Sequence, residues 1–374
     1  MTLPLKNIRV LDLTRLLPGP YCSQFFADFG AEVIKIEEPK VGDYARWTEP
    51  RVDGYSAMFA SLNRNKKSVT LNLKLDDDRK QFRELVKTAD VLIESFRPGV
   101  MNRLGLGYED LKELNPKLVY CAITGFGQTG PYKDKPGHDI NYLSYAGLLH
   151  FNVGAQGEKP TVPATQIADL GGGALMGVAG ILTALMGRNV TGKGQFVDIS
   201  MMDGVVSWMQ TVLPEYLAGK PVTEGELTLA GGRACYGVYE TADGRYLSVG
   251  ALEPKFWRTF CEGIERPDLI SLLDAPQETQ VELRKTIQQE IGQKTLAEWN
   301  VIFEKIDACV SPVLTLDEMI EDPQVKARDM LVTYEGQRQI ANPIKLSETP
   351  AKIYSKAPLL GEHNDKILKK NTDV

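Results

Sequence analysis

At 374 residues the chain exceeds the length at which one core usually keeps growing, so two domains, or one domain with a large insertion, are expected. Hydrophobic residues at 43% and charged residues at 25% exclude a disordered, fibrous or disulfide-scaffolded chain. A net charge of −6 opposes a nucleic-acid partner, which needs clustered Lys and Arg, but leaves room for a small polyanion held by a few local cations.

The first third alternates short β-rich runs with helical stretches. A strand over Ile8 to Leu13 is followed by a helix from near Pro20 to Gly30, a strand over Glu32 to Ile36 and another over Val69 to Leu73. A polar helix from about Asp76 to Thr88 precedes strands over Val91 to Phe96 and Leu118 to Thr124. This alternation predicts a parallel sheet with crossover helices, in which ligands sit beyond the carboxyl ends of the strands. A dinucleotide site would need G-x-G-x-x-G after the first strand; Leu17-Pro-Gly-Pro-Tyr21 lacks the second and third glycines, which disfavours a nicotinamide enzyme.

Leu170 to Met186 reads as a buried helix, short of the roughly 18 uninterrupted apolar residues of a membrane span. Beyond it, Tyr236 to Glu240 and Tyr246 to Val249 flank Ala242-Asp-Gly244, a hairpin signal. Helices over Pro254 to Gly263, Gln277 to Gln293 and Leu296 to Ile306 complete a small α+β unit. The expected division is a large domain over 1–200 and 325–374, a small domain over 225–315, and linkers over 201–224 and 316–324. The N-terminal run lacks a basic segment leading into an apolar one, and the five cysteines are odd in number and widely spaced, so reduced thiols in a cytoplasm and no membrane are expected.

Three histidines, with no C-x-x-C or H-E-x-x-H, argue against a protein-ligated metal, and no G-x-S-x-G elbow supports a serine hydrolase. His138, after Pro136-Gly137, has two readings: a general acid/base, or a capping or surface residue. Asp169, before Gly171-Gly-Gly173, is either a helix N-cap or a functional carboxylate whose glycines admit a close approach of backbone or ligand. Glu253, before Pro254, is either an acid at a helix start or the partner of a histidine, orienting an imidazole and stabilising its protonated form.

Six stretches carry a resemblance. Leu16-Leu-Pro-Gly-Pro-Tyr21, Asp28-Phe-Gly-Ala-Glu-Val-Ile-Lys-Ile-Glu37, Glu94-Ser-Phe-Arg-Pro-Gly-Val100, Gly125-Phe-Gly-Gln-Thr-Gly-Pro131, Thr191-Gly-Lys-Gly-Gln195 and Gly361-Glu-His-Asn364, in this order, resemble the family III CoA-transferases, the group that also holds α-methylacyl-CoA racemases. The likeness runs over nearly the whole chain. It implies a Rossmann-like large domain, a small α+β domain and an interlocked homodimer whose active site lies between the large domain of one subunit and the small domain of the other.

In that family the aspartate matching Asp169 is the catalytic carboxylate: a covalent CoA carrier in transferases, a proton-transfer base in racemases. His138 and Glu253 match a pair that racemases carry and transferases typically lack. Transferases also have a run of glycines where this chain reads Ala230-Gly-Gly-Arg-Ala-Cys235. The resemblance therefore implies an acyl-CoA racemase inverting the α-carbon of a 2-methyl-branched acyl-CoA by 1,1-proton transfer through an enolate. The alternative is a transferase moving CoA between carboxylic acids through an aspartyl-CoA thioester.

No prosthetic group is implied; coenzyme A is part of the acyl-CoA thioester substrate. It is expected at the large-domain strand ends, with contacts from Arg97, Lys66 or Lys67, Gly127 and Tyr142. Where some relatives have Arg, this chain has Glu38, and Arg46 or Arg64 is expected to compensate. Backbone N–H groups from Asp169 to Gly171 are expected to hold the enolate oxygen. Met201, Met202 and Met209 read either as an adaptable acyl surface or as core.

Overall fold

The computed structural model describes residues 2–52, 54–153, 159–223 and 225–368. Short runs, apolar and β-branched in all but the third, form the strands of its main sheet: β1 (Arg9–Asp12), β2 (Glu32–Glu37), β3 (Lys66–Thr70), β4 (Val91–Glu94), β5 (Val119–Thr124) and β6 (Phe196–Ser200). Helices α1 (Pro18–Asp28) and α2 (Asp76–Val86) supply crossovers. All pairings are parallel and the order is β3-β2-β1-β4-β5-β6. The order reverses between β1 and β4, which makes the space beyond their carboxyl ends the natural place for a ligand.

The chain divides into two compact units: residues 1–146, 163–208 and 324–374 in one, 147–162 and 209–323 in the other. In the first, one face of the sheet buries Leu11, Ile34, Val69, Leu92 and Tyr120 with Phe82 of α2. The C-terminal stretch returns to β3, where His363 N–H donates to Ser68 O at 2.9 Å and Thr70 N–H to Asn364 Oδ1 at 2.8 Å.

The third strand lies earlier than Val69 to Leu73, because two lysines open it. Alternation sends the Lys66 side chain into the core and leaves that of Lys67 43% exposed beside Glu32. Beneath the strand ends, Lys35 Nζ lies 2.9 Å from Asp43 Oδ2 and bonds Thr14 O at 2.8 Å, while Asp43 Oδ1 accepts Leu16 N–H at 2.9 Å. Burial alone would raise the Asp12 carboxyl, but Lys35 and Lys66 hold it down at about 2.

After α3 (Asp139–Tyr145), a π-helical segment, Ala168–Leu175, runs into α4 (Met176–Thr191). By length and composition the continuous stretch could cross a bilayer, yet it is half buried in its own unit. The expectation of a buried helix is thus met on one face only: Ile181, Ala184 and Leu185 are buried, but Leu175, Met186 and Val190 are 45%, 67% and 88% exposed. The stretch from Met201, expected as a linker, opens with helix α5 (Met201–Ser207), which buries Met201 and Val205.

The packing of α5 explains the glycine run. A Cβ at Gly172 would lie 2.5 Å from Met201 O, one at Gly173 2.8 Å from Met201 Cγ, and one at Gly204 2.5 Å from Gly172 Cα. It is backbone, not ligand, that comes close here.

The second unit forms an antiparallel sheet of β7 (Tyr236–Glu240), β8 (Tyr246–Gly250) and β9 (Val310–Pro312), in the order β9-β8-β7. Helices α6 (Pro254–Gly263), α7 (Gln277–Ile291) and α8 (Leu296–Phe303) pack a core around Trp257, Phe260, Ile287 and Trp299. Residues 147–162, expected in the large domain, belong to this unit.

Gly172→Ala should cost about 1–3 kcal/mol through overpacking. Gly187→Ala on α4, whose Cβ would meet only the flexible Gln195 side chain at 3.4 Å, should instead gain about 0.5–1 kcal/mol. Thermal denaturation of the two variants should move in opposite directions; a Gly172→Ala variant as stable as the parent would discount the close packing.

Candidate active site

A cleft of about 600 Å³ opens beyond the carboxyl ends of β1, β4 and β5. Arg15 and Leu16 follow β1, Ser95 to Pro98 follow β4, Thr124 ends β5 with Gly125 and Phe126 after it, and Gly137 and His138 lead into α3, which contributes Tyr142. Asp169, from the π-helical segment, faces the same space. Four cations line it: Arg15, Arg97, Lys133 and Lys135.

Asp139, the first residue of α3, fixes the segment that bears Asp169. Its Oδ1 accepts Ala168 N–H at 2.7 Å and Asp169 N–H at 3.0 Å. Asp169 is therefore not the N-cap of its helix; a residue 30 positions earlier performs that service. Its own carboxylate has no hydrogen-bond or ion-pair partner among the described residues. Burial first, then the neighbouring Asp139 charge, push the Asp169 carboxyl up to about 6, with His138 pulling weakly the other way. A group with that proton affinity is ionised at neutral pH yet still basic enough to take up a proton.

His138 precedes α3, but its imidazole caps nothing: Asn141 Oδ1 accepts the His138 backbone N–H at 3.0 Å, and the ring is exposed. His138 and Asp169 thus share one cleft, with both side chains uncommitted.

Sequence comparison decides the family. The model of CoA-transferase family III matches residues 5–364, nearly the full length. The chain belongs to that family. It is 38% identical to human alpha-methylacyl-CoA racemase, over 97% of this chain and 92% of the relative. It is 32% identical to human succinyl-CoA:glutarate CoA-transferase, over 98% of this chain and 85% of the relative. Its fold matches the crystal structure of a CAIB/BAIF family protein from Brucella suis with a TM-score of 0.87 at 30% identity, covering 99% of this chain and 100% of the other. The protein is thus an enzyme whose relatives are racemases and CoA-transferases.

Of the residues expected to touch the CoA substrate in this family III enzyme, Arg97 lines the cleft and its guanidinium has no partner among the described residues. Tyr142 presents its ring but spends its hydroxyl on Gly137 O, 2.5 Å away, and burial pushes that hydroxyl up to about 12. Gly127 stands behind the lining, with φ +79° in the left-handed region that turns the loop.

Lys66 is a correction. Its ammonium is wholly buried and bonds Asp12 Oδ2 at 3.2 Å, Pro20 O at 2.9 Å, Ser23 Oγ at 2.8 Å and Asn63 Oδ1 at 2.9 Å, so no donor is left for a ligand. Burial, partly offset by Asp12, brings it down to about 8. Lys67 points away from the cleft and pairs with Glu32 at 2.5 Å. Arg46 and Arg64 cannot stand in for the cation absent at Glu38. Arg46 bonds both oxygens of Glu37 at 2.7 Å, and Arg64 bonds both oxygens of Asp28 at 3.0 and 2.7 Å. Glu38 itself accepts Val41 N–H at 2.8 Å.

Two of the three expected oxyanion donors are also committed. Asp169 N–H bonds Asp139, and Leu170 N–H bonds Gln166 O at 3.0 Å. Thr124 Oγ1 lines the cleft, buried and without a partner among the described residues, and is the better candidate donor. Asp139, Thr124, Arg15, Lys133 and Lys135 escaped sequence reasoning. Asp139 and Lys135 lie in the stretch around His138 already singled out, and Arg15 and Thr124 at strand ends where a ligand was expected.

Glu253 belongs to the other unit. It precedes α6, is exposed, and makes no side-chain cap; its carbonyl accepts Trp257 N–H at 2.9 Å. Of the methionines, Met201 lines the cleft, and Met201 and Met209 are 6% and 8% exposed.

A carboxyl raised from 3.8 to about 6 in the folded state lends stability in its protonated form, fully present below pH 3.8 and lost as pH rises through 6. Asp169→Asn should therefore match the parent near pH 4 and exceed it above pH 7, by about 1–2 kcal/mol once partial exposure is allowed for. Asp139→Asn, which keeps the acceptor oxygen but removes the charge, should shrink that gain. A gain independent of pH, read by denaturation at each pH, would refute the account.

Proposed function

We propose that the protein is an acyl-CoA racemase that inverts the α-carbon of a 2-methyl-branched acyl-CoA through an enolate. The observation that carries the reading is the pairing, in one cleft, of an unpartnered carboxyl poised near pH 6 with an uncapped, exposed imidazole. Inversion needs a base on one face of the carbon and an acid on the other, both near neutral proton affinity. In this reading Asp169 removes or returns the proton on one face and His138 acts on the other. Thr124 Oγ1 donates to the thioester oxygen as negative charge gathers there. Arg15, Arg97, Lys133 and Lys135 attract the phosphates of CoA, in a protein whose net charge is otherwise negative.

Glu253 is proposed as the carboxylate that orients the imidazole, contributed by a second copy of the chain in a homodimer. Two features support an association of copies: the exposed apolar residues Leu175, just before α4, and Met186 and Val190 on it, and the uncommitted Glu253 carboxylate on the other unit.

A 2-methylacyl-CoA incubated with the enzyme in deuterium oxide should gain deuterium at the α position. Asp169→Asn and His138→Ala should each slow this exchange by about 10²–10⁴-fold. In the parent, kcat/KM should fall about tenfold per pH unit below pH 6, as Asp169 takes up its proton. Absence of exchange, with a hydroxylamine-sensitive CoA adduct on Asp169 instead, would replace the racemase by a CoA-transferase.

Mixing subunits tests the dimer. Asp169→Asn and Glu253→Gln chains, each inactive alone, should on co-refolding recover roughly a quarter of the parental activity, since one site of each mixed dimer is intact. No recovery would exclude a site shared between copies.

A further inference from the structure

Glu94 ends β4 with its side chain buried, 5% exposed. The register Glu94↔Ala122↔Asp198 sets it in one row with Asp198 of β6, on the same face of the sheet, with the small side chain of Ala122 between. Each acid holds a loop at a strand end: Glu94 the loop leaving its own strand, Asp198 the loop leaving the adjacent β5. Glu94 Oε2 accepts Phe96 N–H at 2.7 Å, and Asp198 accepts Gln128 N–H at 3.2 and 3.1 Å through its two oxygens. The first loop carries Arg97, and Ser95, Phe96, Arg97 and Pro98 all line the cleft. No cation pairs with Glu94 among the described residues. Asp198, Tyr120 and Cys121 interact with it electrostatically, and all three are groups that become negative on ionising.

We infer that Glu94 is a positioning residue for Arg97: from beneath the Ser95–Pro98 loop it fixes the backbone that presents the guanidinium to an anionic substrate. The inference rests on the reading of the cleft as a CoA site. A carboxylate buried beside a second carboxylate, with no cation, is costly; a protonated acid keeps its acceptor oxygen without that cost. Burial, aided by Asp198 and opposed by the Phe96 N–H, pushes the Glu94 carboxyl up to about 8. Ionisation at higher pH sets like charges on either side of Ala122 and offers the guanidinium a competing partner inside the protein. Both effects draw Arg97 away from the substrate.

The test is calorimetric titration of the full chain with acetyl-CoA at pH 7 and pH 9, a probe with no free thiol to titrate. The parent should bind about tenfold more weakly at pH 9. In Glu94→Gln, which is uncharged and keeps an acceptor oxygen, the ratio between the two pH values should fall to about twofold or less. Glu94→Ala, which cannot hold the loop, should bind weakly at both. The other groups of the cleft are common to parent and Glu94→Gln, so the difference in ratio isolates Glu94.

A ligand-free measurement supports the same point. A carboxyl raised from 4.5 to about 8 loses its stabilising protonated form as pH rises through 8, so the Tm of Glu94→Gln relative to the parent should climb between pH 5 and pH 9. If parent and Glu94→Gln share one binding ratio and their Tm difference does not vary with pH, the inference is overturned while the CoA reading stands. If the parent binds no acetyl-CoA at either pH, the CoA reading falls and the inference with it.

Discussion

Beneath the carboxyl ends of β1, β2 and β3 lie Asp12, Lys35, Asp43 and Lys66, with no side-chain surface exposed, and the wall of the cleft hangs from them. Lys35 holds Thr14 O, Asp43 holds Leu16 N–H, and Lys66 holds Pro20 O at the start of α1. Leu16 sits at φ +64°, a left-handed conformation that a leucine adopts only when its surroundings impose it. Two positive and two negative charges cancel, so the array gives rigidity without adding to the field that reaches a ligand. Removing one member would strand the others in a medium that cannot solvate them, at about 3–5 kcal/mol.

That arrangement divides the basic residues of the first unit by task. Lys35, Lys66, Arg46 and Arg64 are spent on buried carboxylates and tie strands, loops and the returning C-terminal stretch together. Arg15, Arg97, Lys133 and Lys135 stand at the cleft instead. Acids divide in the same way. Burial acts to raise both carboxyls, but Asp12 is held ionised by two ammonium groups, whereas Asp169, raised first by its burial and then by the carboxylate of Asp139, is made basic. One residue type thus takes opposite roles within a single unit because its neighbours differ in sign.

The parallel sheet was legible because β-branched runs recur between turn residues at crossover spacing, a local signal. Asp169, His138 and Arg97, singled out from short motifs at strand and helix ends, all line the one cleft. Lys66 was misjudged because two adjacent lysines read as solvent-facing, and nothing nearby in sequence announces that Asp12, 54 positions earlier, is waiting in the core. Arg46 and Arg64 failed for the same reason: their partners Glu37 and Asp28 lie on other elements. Asp139 was passed over although it adjoins His138, since its significance lies in two amide groups about 30 residues ahead. The glycine run was recognised as a close approach, but whether backbone or ligand fills such a gap is settled only when Met201 O is seen in it.

The seam between Gly172 and Gly204 has a bearing on how such enzymes diverge. Where two main chains touch, no side chain can be enlarged or recoloured, so Gly172, three residues after Asp169, is closed to adaptive tinkering. Changes in the shape of the cleft must accumulate on other walls, around Leu16 and Phe126, whose residues line the open space. A frozen floor under a mutable rim lets one scaffold vary its cleft while the backbone beside Asp169 stays put.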